Sequence, residues 1–187
     1  MTVARMDPFA MALEFASGKL EPATSAVQRH LSDMRGMYFD VAAETAALES
    51  GNPLIYEVLR HDRSPVAGQL SVSTTVIWPG KIGDEYYMTK GHYHETAHTA
   101  EVYIGLRGRG LLLMQVDDQF RMIEMQPGAI AYIPPAWGHR TVNVGTEPFI
   151  FLAVCPGDAG HDYAPIEREG FARRAVERNG QLAVVPL

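Results

Sequence analysis

The chain has 187 residues and a formal net charge of −6 at pH 7, with a single cysteine, Cys155. Its length suits one domain with a substantial core, and the lack of a Lys/Arg cluster argues against a nucleic-acid partner. No apolar run approaches the ~18 residues of a membrane-spanning helix, and no segment resembles a targeting signal. We therefore expect a cytoplasmic protein without an intramolecular disulfide and without a membrane partner.

The N-terminal part of the chain carries most of its helical signals. Residues 40–50 are rich in Ala, with Asp40 placed as a cap and Gly51 as a stop, which predicts a helix. A second short helix is expected over residues 23–34. We interpret residues 1–52 as an N-terminal extension with a strand and short helices.

From residue 53 onward, short apolar or alternating runs are separated by clusters of Gly, Pro, Asp and Asn. This pattern is typical of an all-β sandwich or barrel. The predicted strands are residues 54–59, 70–78, 85–88, 101–106, 110–116, 120–125, 129–133, 140–143 and 149–154, and after a polar segment, 166–179, a last strand at 182–185. We interpret residues 53–187 as a β-barrel within one structural domain overall.

Three histidines and one glutamate are placed where they can form a metal site. His92 and His94 are two residues apart and face the same side of a strand, Glu101 opens the next predicted strand, and His139 follows a strand end. If these strands line one barrel, the side chains converge, and imidazole with carboxylate suits a divalent first-row metal. Each histidine alone is more simply a surface residue; the combination favours the metal site.

The remaining histidines of this region carry less signal. His98 shares the parity of His94 but lies in the connection between two predicted strands, so we interpret it as a non-ligand. His30 and His61 are expected to face solvent.

Two motifs resemble those of the cupin family. The His-x-His, Glu and Gly of the first correspond to His92, His94, Glu101 and Gly108, and the Gly, Pro, His and Asn of the second to Gly128, Pro134, His139 and Asn143. The six residues between His94 and Glu101 make this gap longer than in most cupins. It resembles that of one branch, the cupin-type glucose-6-phosphate isomerases of archaea and some bacteria, as do stretches along nearly the whole chain.

The resemblance implies an all-β cupin fold, a double-stranded β-helix or jelly-roll barrel, with a short helical N-terminal extension. It implies a metal bound by His92, His94, Glu101 and His139. The expected catalytic residues are Glu101, His139 and Tyr103, and the expected substrate- and phosphate-binding residues are Thr75, Thr89, Gly91 and His161. An aromatic phosphate contact would be expected at position 155, where this chain has Cys155; Lys90 is a candidate replacement.

The activity implied is the metal-dependent interconversion of glucose 6-phosphate and fructose 6-phosphate, an aldose–ketose isomerisation of glycolysis and gluconeogenesis. A metal that polarises the two sugar oxygens suits this chemistry, with Glu101 as a base acting through a cis-enediol, or with direct hydride transfer. Because cupins host many activities, three alternatives stay open: an isomerase or epimerase of another sugar, a dioxygenase, or a non-catalytic sugar-binding protein.

The expected partners are small. We expect one divalent ion per subunit, Fe²⁺ first, with Mn²⁺, Zn²⁺, Ni²⁺ or Co²⁺ as alternatives, and a sugar phosphate as substrate. The resemblance also implies a homodimer, to which the apolar segment 9–15 would contribute a strand at the partner's sheet edge.

Overall fold

The computed structural model describes residues 7–62 and 66–187, so the first six residues of the predicted extension lie outside it. Its strands and helices follow in chain order: β1 Ala12–Leu13, β2 Leu20–Glu21, β3 Ser25–His30, a 3₁₀ turn Leu31–Met34, α1 Val41–Ser50, β4 Leu54–His61, β5 Leu70–Ile77, β6 Lys81–Ile82, β7 Glu85–Tyr86, β8 Glu101–Arg107, β9 Gly110–Val116, β10 Gln119–Met125, β11 Ile130–Ile133, β12 Gly138–Asn143, β13 Phe149–Pro156, α2 Ala164–Glu169, β14 Arg173–Arg178 and β15 Gln181–Pro186.

Two antiparallel sheets form the body of the protein. One has six strands in the order β11-β8-β13-β5-β4-β3, and the other has three in the order β10-β9-β12. Leu111, Leu112 and Leu113 of β9 are fully or almost fully buried, as are Phe149 and Phe151 of β13, and they belong to one apolar core. The all-β prediction is confirmed, and the architecture is that of a cupin barrel.

The helix predicted at residues 40–50 is confirmed as α1. The Asp40 carboxylate accepts a hydrogen bond from the Ala43 backbone N–H at 2.9 Å, which satisfies one of the free donors at a helix start. Gly51 ends the helix with φ of 148° and donates its N–H to the Ala47 carbonyl.

The helix predicted at residues 23–34 is wrong. Ser25–His30 forms β3, and only Leu31–Met34 is helical, as a 3₁₀ turn. β3 pairs with β4 in antiparallel register, Val27 opposite Val58, and so joins the edge of the six-stranded sheet. Pairing with β4 decides the conformation here, because a weak local helix preference yields to tertiary context. The residues before position 53 therefore contribute a strand to the main sheet.

The polar segment 166–179 also contains regular structure. It includes most of α2 and the strand β14, which pairs with β15 along its full length and with β7 at Val176 opposite Glu85. The strand was missed because four of the six residues of β14 are Arg or Glu, and long charged side chains can bury their stems while their heads stay hydrated.

The N-terminal segment pairs within its own chain in this structure. β1 and β2 form a small hairpin, with Ala12 opposite Glu21 and Leu13 opposite Leu20. Within residues 7–62 and 66–187, no helix is long and apolar enough to cross a membrane.

Candidate metal centre and substrate pocket

A backbone pairing brings two histidines of the predicted metal site together, His92 and His139. His92 and His139 exchange both backbone hydrogen bonds, N to O at 3.1 and 3.0 Å, as an isolated antiparallel bridge beside β12. Directly opposed residues of such a bridge place their side chains on the same face. The two imidazole rings accordingly lie with their centroids 4.4 Å apart.

The other two members complete a cluster of four side chains. One ligand atom from each of His92, His94, Glu101 and His139 lies within 4.8 Å of all the others. Glu101 Oε2 is 3.3 Å from His94 Nε2 and 3.1 Å from His139 Nε2. Both Glu101 and His139 are almost fully buried, so the cluster lies inside the barrel.

Hydrogen bonds at Nδ1 fix which nitrogen of two imidazoles faces the centre. His139 Nδ1 lies 3.1 Å from the Trp137 carbonyl, and because a carbonyl only accepts, Nδ1 donates. His94 Nδ1 lies 2.8 Å from Thr99 Oγ1, which itself donates to the Thr96 carbonyl at 2.6 Å. Nε2 of His94 and Nε2 of His139 therefore face Glu101, as in metal-binding histidines held by outer hydrogen bonds.

The donor set fits a divalent metal ion. In the described part of the chain, His92 Nε2 and His139 Nε2 are buried without a hydrogen-bond partner, since His139 Nε2 approaches Glu101 closely but without hydrogen-bond geometry. An unsatisfied buried polar atom costs roughly 1–3 kcal/mol, and a metal would satisfy both. Three imidazoles and one carboxylate, without a thiolate, match first-row divalent ions such as Fe²⁺, Mn²⁺ or Zn²⁺.

The electrostatics favour ligand-competent forms of Glu101 and His92. At His94, burial is outweighed by the hydrogen bond with Glu101, which raises the pKa of this imidazole. Burial opposes ionisation of Glu101, but contacts with His139 and His94 outweigh it and hold the pKa of this carboxyl below its usual range. Burial, with His139 and His161 nearby, lowers the pKa of His92 well below its usual value. An ionised carboxylate and neutral imidazoles are the protonation states that bind metals.

The substrate-binding residues expected from the sequence surround a single pocket above this cluster. It is lined by Thr75, Thr89, Gly91, Tyr103 and His161, together with three of the four candidate ligands, His92, Glu101 and His139. Gly91 has φ of 77°, and a Cβ there would lie 3.1 Å from the His139 carbonyl oxygen. Only glycine adopts this conformation easily, so position 91 brings the bare backbone to the pocket wall.

Four polar residues of the pocket were missed in the sequence. Tyr56 and Arg60 lie on the inner face of β4, Ser73 lies on β5, and Tyr163 precedes α2; all four line the pocket. The alternation 56, 58, 60 along β4 was a usable signal, because alternate residues share one face of a strand. Arg60 Nη2 donates to His161 Nε2 at 3.2 Å, and burial followed by the Arg60 charge lowers the pKa of His161 to about 4.

Two residues linked to phosphate binding in the sequence occupy different environments. Lys90 lines the pocket, but its Nζ forms an ion pair with Glu167 at 2.9 Å. Cys155 is buried on β13 opposite Ser71, and burial raises the pKa of its thiol to about 12. The thiol is therefore a small neutral group beside the pocket.

The remaining histidines fall outside the metal cluster. His98 is exposed and is absent from the four converging ligands. The expectation that His61 faces solvent is wrong: it is 6% exposed, and its Nδ1 donates to the Pro22 carbonyl at 2.7 Å. His30 is half-buried. The pairing of β3 with β4 covers His30 and His61. Because the sequence analysis did not predict β3, it did not predict this burial.

Comparison with protein families gives one match that spans most of the chain. The model of the family described as glucose-6-phosphate isomerase (GPI) matches residues 28–185. That range includes every candidate ligand and every pocket residue named above.

Curated relatives share a name and nearly the full length. Glucose-6-phosphate isomerase of Thermococcus litoralis is 48% identical over 179 residues, 95% of this chain and 94% of the relative. The enzyme of Pyrococcus furiosus is 44% identical over 96% of this chain and 95% of the relative, and that of Sinorhizobium medicae is 35% identical over 94% and 83%.

Among solved structures, oxalate decarboxylase of Bacillus subtilis aligns with a TM-score of 0.46 and 25% identity. The alignment covers 57% of this chain and 26% of that chain, and no argument below rests on it.

Proposed function

This chain belongs to the glucose-6-phosphate isomerase family, and we propose that it interconverts glucose 6-phosphate and fructose 6-phosphate as a metal-dependent aldose–ketose isomerase. The observation that carries the proposal is the cluster of three imidazoles and one carboxylate, with two unpartnered Nε2 atoms, at the base of a polar pocket. Such a pocket suits a sugar phosphate better than the apolar pocket expected of a dioxygenase.

The metal would be held by His92, His94, Glu101 and His139, with Fe²⁺ as our first expectation. A divalent ion bound there supplies Lewis-acid polarisation of the sugar carbonyl and its neighbouring hydroxyl. The side chains themselves fix the position of the C1–C2 end of the substrate, because His92, Glu101 and His139 line the pocket.

Glu101 is the proposed base. Isomerisation moves a hydrogen between C1 and C2, and a proton between the two oxygens. Contacts with His139 and His94 outweigh burial and hold the pKa of Glu101 below its usual range, and Glu101 lines the pocket. As a carboxylate it can take a proton from one carbon and return it to the other. His139 Nε2 lies 3.1 Å from Glu101 Oε2 and restricts the position of this carboxylate.

Tyr103 is the proposed hydrogen-bond donor to the sugar oxygens. Burial and the nearby Glu101 charge raise the pKa of its hydroxyl well above the usual value, so it stays protonated. Its ring centroid lies 5.8 Å from that of His139, which places the phenol beside the metal ligands. His161, neutral and bonded to Arg60, is proposed to contact the sugar hydroxyls.

The phosphate end is assigned to Thr75, Thr89 and Gly91, with Arg60 as an additional contact. Hydroxyls and a closely approached backbone are suitable donors for phosphate oxygens. In the described part of the chain Arg60 contacts His161 and forms no ion pair, whereas Lys90 is neutralised by Glu167. Arg60 is thus the pocket cation that is free to pair with a dianionic substrate.

The proposal extends to the wider setting that the resemblance implied. The protein would act in glycolysis and gluconeogenesis, as a cytoplasmic homodimer in which residues 1–52 are an extension of the cupin barrel 53–187. Sedimentation of the purified protein tests the dimer directly.

The deciding experiment is conversion of fructose 6-phosphate by metal-stripped protein, before and after each divalent ion is added back. Restored turnover that is lost again in His139→Ala, but kept in the exposed control His98→Ala, supports both the metal site and the reaction. A folded protein that binds metal and yet shows no turnover with any ion contradicts the proposed activity.

A further inference from the structure

A second cavity lies behind the substrate pocket. It encloses about 300 Å³ between the segment before α1, the helix α2 and the strand β14, and its wall includes Tyr38, Phe39, Arg140, Phe171 and Arg174. Arg140 follows His139 on β12, so its side chain leaves the strand on the opposite face from the metal ligand. Nothing in the proposed isomerisation uses this cavity.

Two guanidinium groups in its wall are stacked on aromatic rings. The Arg174 guanidinium carbon lies 4.1 Å from the centroid of Phe39, and that of Arg140 lies 5.0 Å from the centroid of Phe171. Stacking occupies the faces of a guanidinium and leaves its N–H donors directed outward in the plane. The two groups are thereby held in fixed orientations.

The positive charge of this cluster is only partly compensated. Arg140 is 3% exposed and the Arg174 side chain is 11% exposed. In the described part of the chain, the buried carboxylate facing them is that of Glu85, which comes no closer than 4.0 Å to Arg174. The acids of α2, Glu167 and Glu169, also line the cavity, but each is paired with another cation, Glu167 with Lys90 and Glu169 with Arg168. Two buried cations thus share one buried anion, and an uncompensated buried charge is costly.

Unused hydrogen-bond donors accompany this charge. Within residues 7–62 and 66–187, Arg174 Nε and Tyr38 Oη are buried without a hydrogen-bond partner, as is the neighbouring acceptor Glu85 Oε1. The Tyr38 hydroxyl faces the Met88 backbone but makes no hydrogen bond of acceptable geometry with it. A ligand with several acceptor oxygens would accept hydrogen bonds from Arg174 Nε and Tyr38 Oη.

We propose that this cavity binds a compact tetrahedral oxyanion, such as inorganic phosphate, through Arg174 and Tyr38 with Arg140 beside it. Arginine is the residue best suited to such anions, because its planar donors match two oxygens at once. The bound anion supplies the negative charge that Glu85 alone does not.

The site is connected to the substrate pocket through one side chain. Arg140 Nη2 and Nε donate to the Lys90 carbonyl at 2.7 and 3.2 Å, and Lys90 lies between Thr89 and Gly91 of the pocket wall. The guanidinium beside the cavity thus also supports the backbone of the substrate-pocket wall.

The first test is titration calorimetry with inorganic phosphate on the wild-type protein, Arg174→Gln, and a matched control on the exposed end of the same strand, Arg178→Gln. We expect two binding events in the wild type and in Arg178→Gln, because phosphate also enters the substrate pocket. Arg174→Gln should lose one event or weaken it about tenfold, the loss of a charge-assisted hydrogen bond. Equal binding by all three proteins overturns the proposal.

A second test avoids dependence on a variant that folds poorly. Wild-type crystals soaked in selenate should show an anomalous peak within hydrogen-bond distance of Arg174 Nε. Selenate confined to the substrate pocket overturns the second site, even if the isomerase activity is established. Conversely, a peak beside Arg174 supports the site whatever reaction the protein catalyses.

Discussion

Thr99 Oγ1 lies 2.8 Å from Nδ1 of His94, and its own proton goes to the Thr96 carbonyl. Thr99 therefore acts as an acceptor, which holds the proton of His94 on Nδ1 and leaves Nε2 free toward Glu101. The Thr99 side chain therefore orients the candidate metal ligand His94 without being a ligand itself.

Thr99→Val keeps the shape of this residue and removes the acceptor. We expect the affinity for Mn²⁺ or Fe²⁺ to fall by about 10–100-fold, the usual effect of losing an outer hydrogen bond to a metal ligand, with little change in melting temperature. Metal titration against a competing chelator measures this, with the exposed Thr146→Val as the control. Unchanged metal affinity in Thr99→Val would show that the Thr99 carbonyl alone orients His94.

Glu101→Gln removes the carboxylate charge while preserving its size. Turnover with saturating metal should fall by about 10²–10⁴-fold, the contribution typical of a positioned base. Metal content must be measured on the same sample, because Glu101 is also a candidate ligand. A metal-loaded Glu101→Gln protein with near-normal turnover would exclude Glu101 as the base.

Isomerisation in deuterated water separates proton transfer from hydride transfer. If Glu101 carries the proton, it exchanges with solvent, and glucose 6-phosphate formed from fructose 6-phosphate should contain deuterium at C2. Proton NMR of the product measures the incorporation. Product without solvent deuterium would favour direct hydride transfer between the two carbons.

Arg60→Gln removes the unpaired cation of the pocket. We expect KM for fructose 6-phosphate to rise about tenfold or more while kcat changes less, because a hydrogen bond to a charged group contributes roughly 1.5–3 kcal/mol. Arg60→Lys should recover part of the loss. Lys90→Gln is the matched comparison, since Lys90 is neutralised by Glu167; a larger effect there than at Arg60 would reverse the assignment.

Asn143 stabilises the fold through buried hydrogen bonds and is not part of the proposed metal site or substrate pocket. It is fully buried; its amide donates to the Ile77 and Glu147 carbonyls at 2.8 and 2.9 Å and accepts from the Gly145 N–H at 2.9 Å. Asn143→Ala should lower the free energy of unfolding by about 2–4 kcal/mol, since it leaves these backbone groups unpaired. Urea denaturation measures this loss, with the exposed Gln119→Ala as control. A loss below 1 kcal/mol, within the range of surface substitutions, would contradict this role.

The four candidate ligands could be predicted from the sequence because the patterns that indicate them lie within short segments. A two-residue spacing gives His92 and His94 a common face, and strand boundaries on either side locate Glu101 and His139. The helix α1 was predictable for the same reason, since Asp40 and Gly51 mark its ends within the segment itself.

Other features depend on pairing that the sequence does not reveal. β3 is a strand because β4 offers it an edge, and β14 because β15 and β7 do. Arg60 was missed because the alternation along β4 shows which residues share a face but not which face lines the pocket. The cavity at Arg174 joins segments far apart in the chain and has no local pattern.

The backbone bridge between His92 and His139 also has a dynamic consequence. Separating the two backbone segments would break both hydrogen bonds, so the backbones that carry these two ligands move together. On another wall of the pocket, one side-chain hydrogen bond joins Arg60 to His161, and a rotamer change of Arg60 breaks it. We therefore expect the pocket to open for substrate entry and product release by side-chain motion at Arg60, and expect the backbone at His92 and His139 to move less.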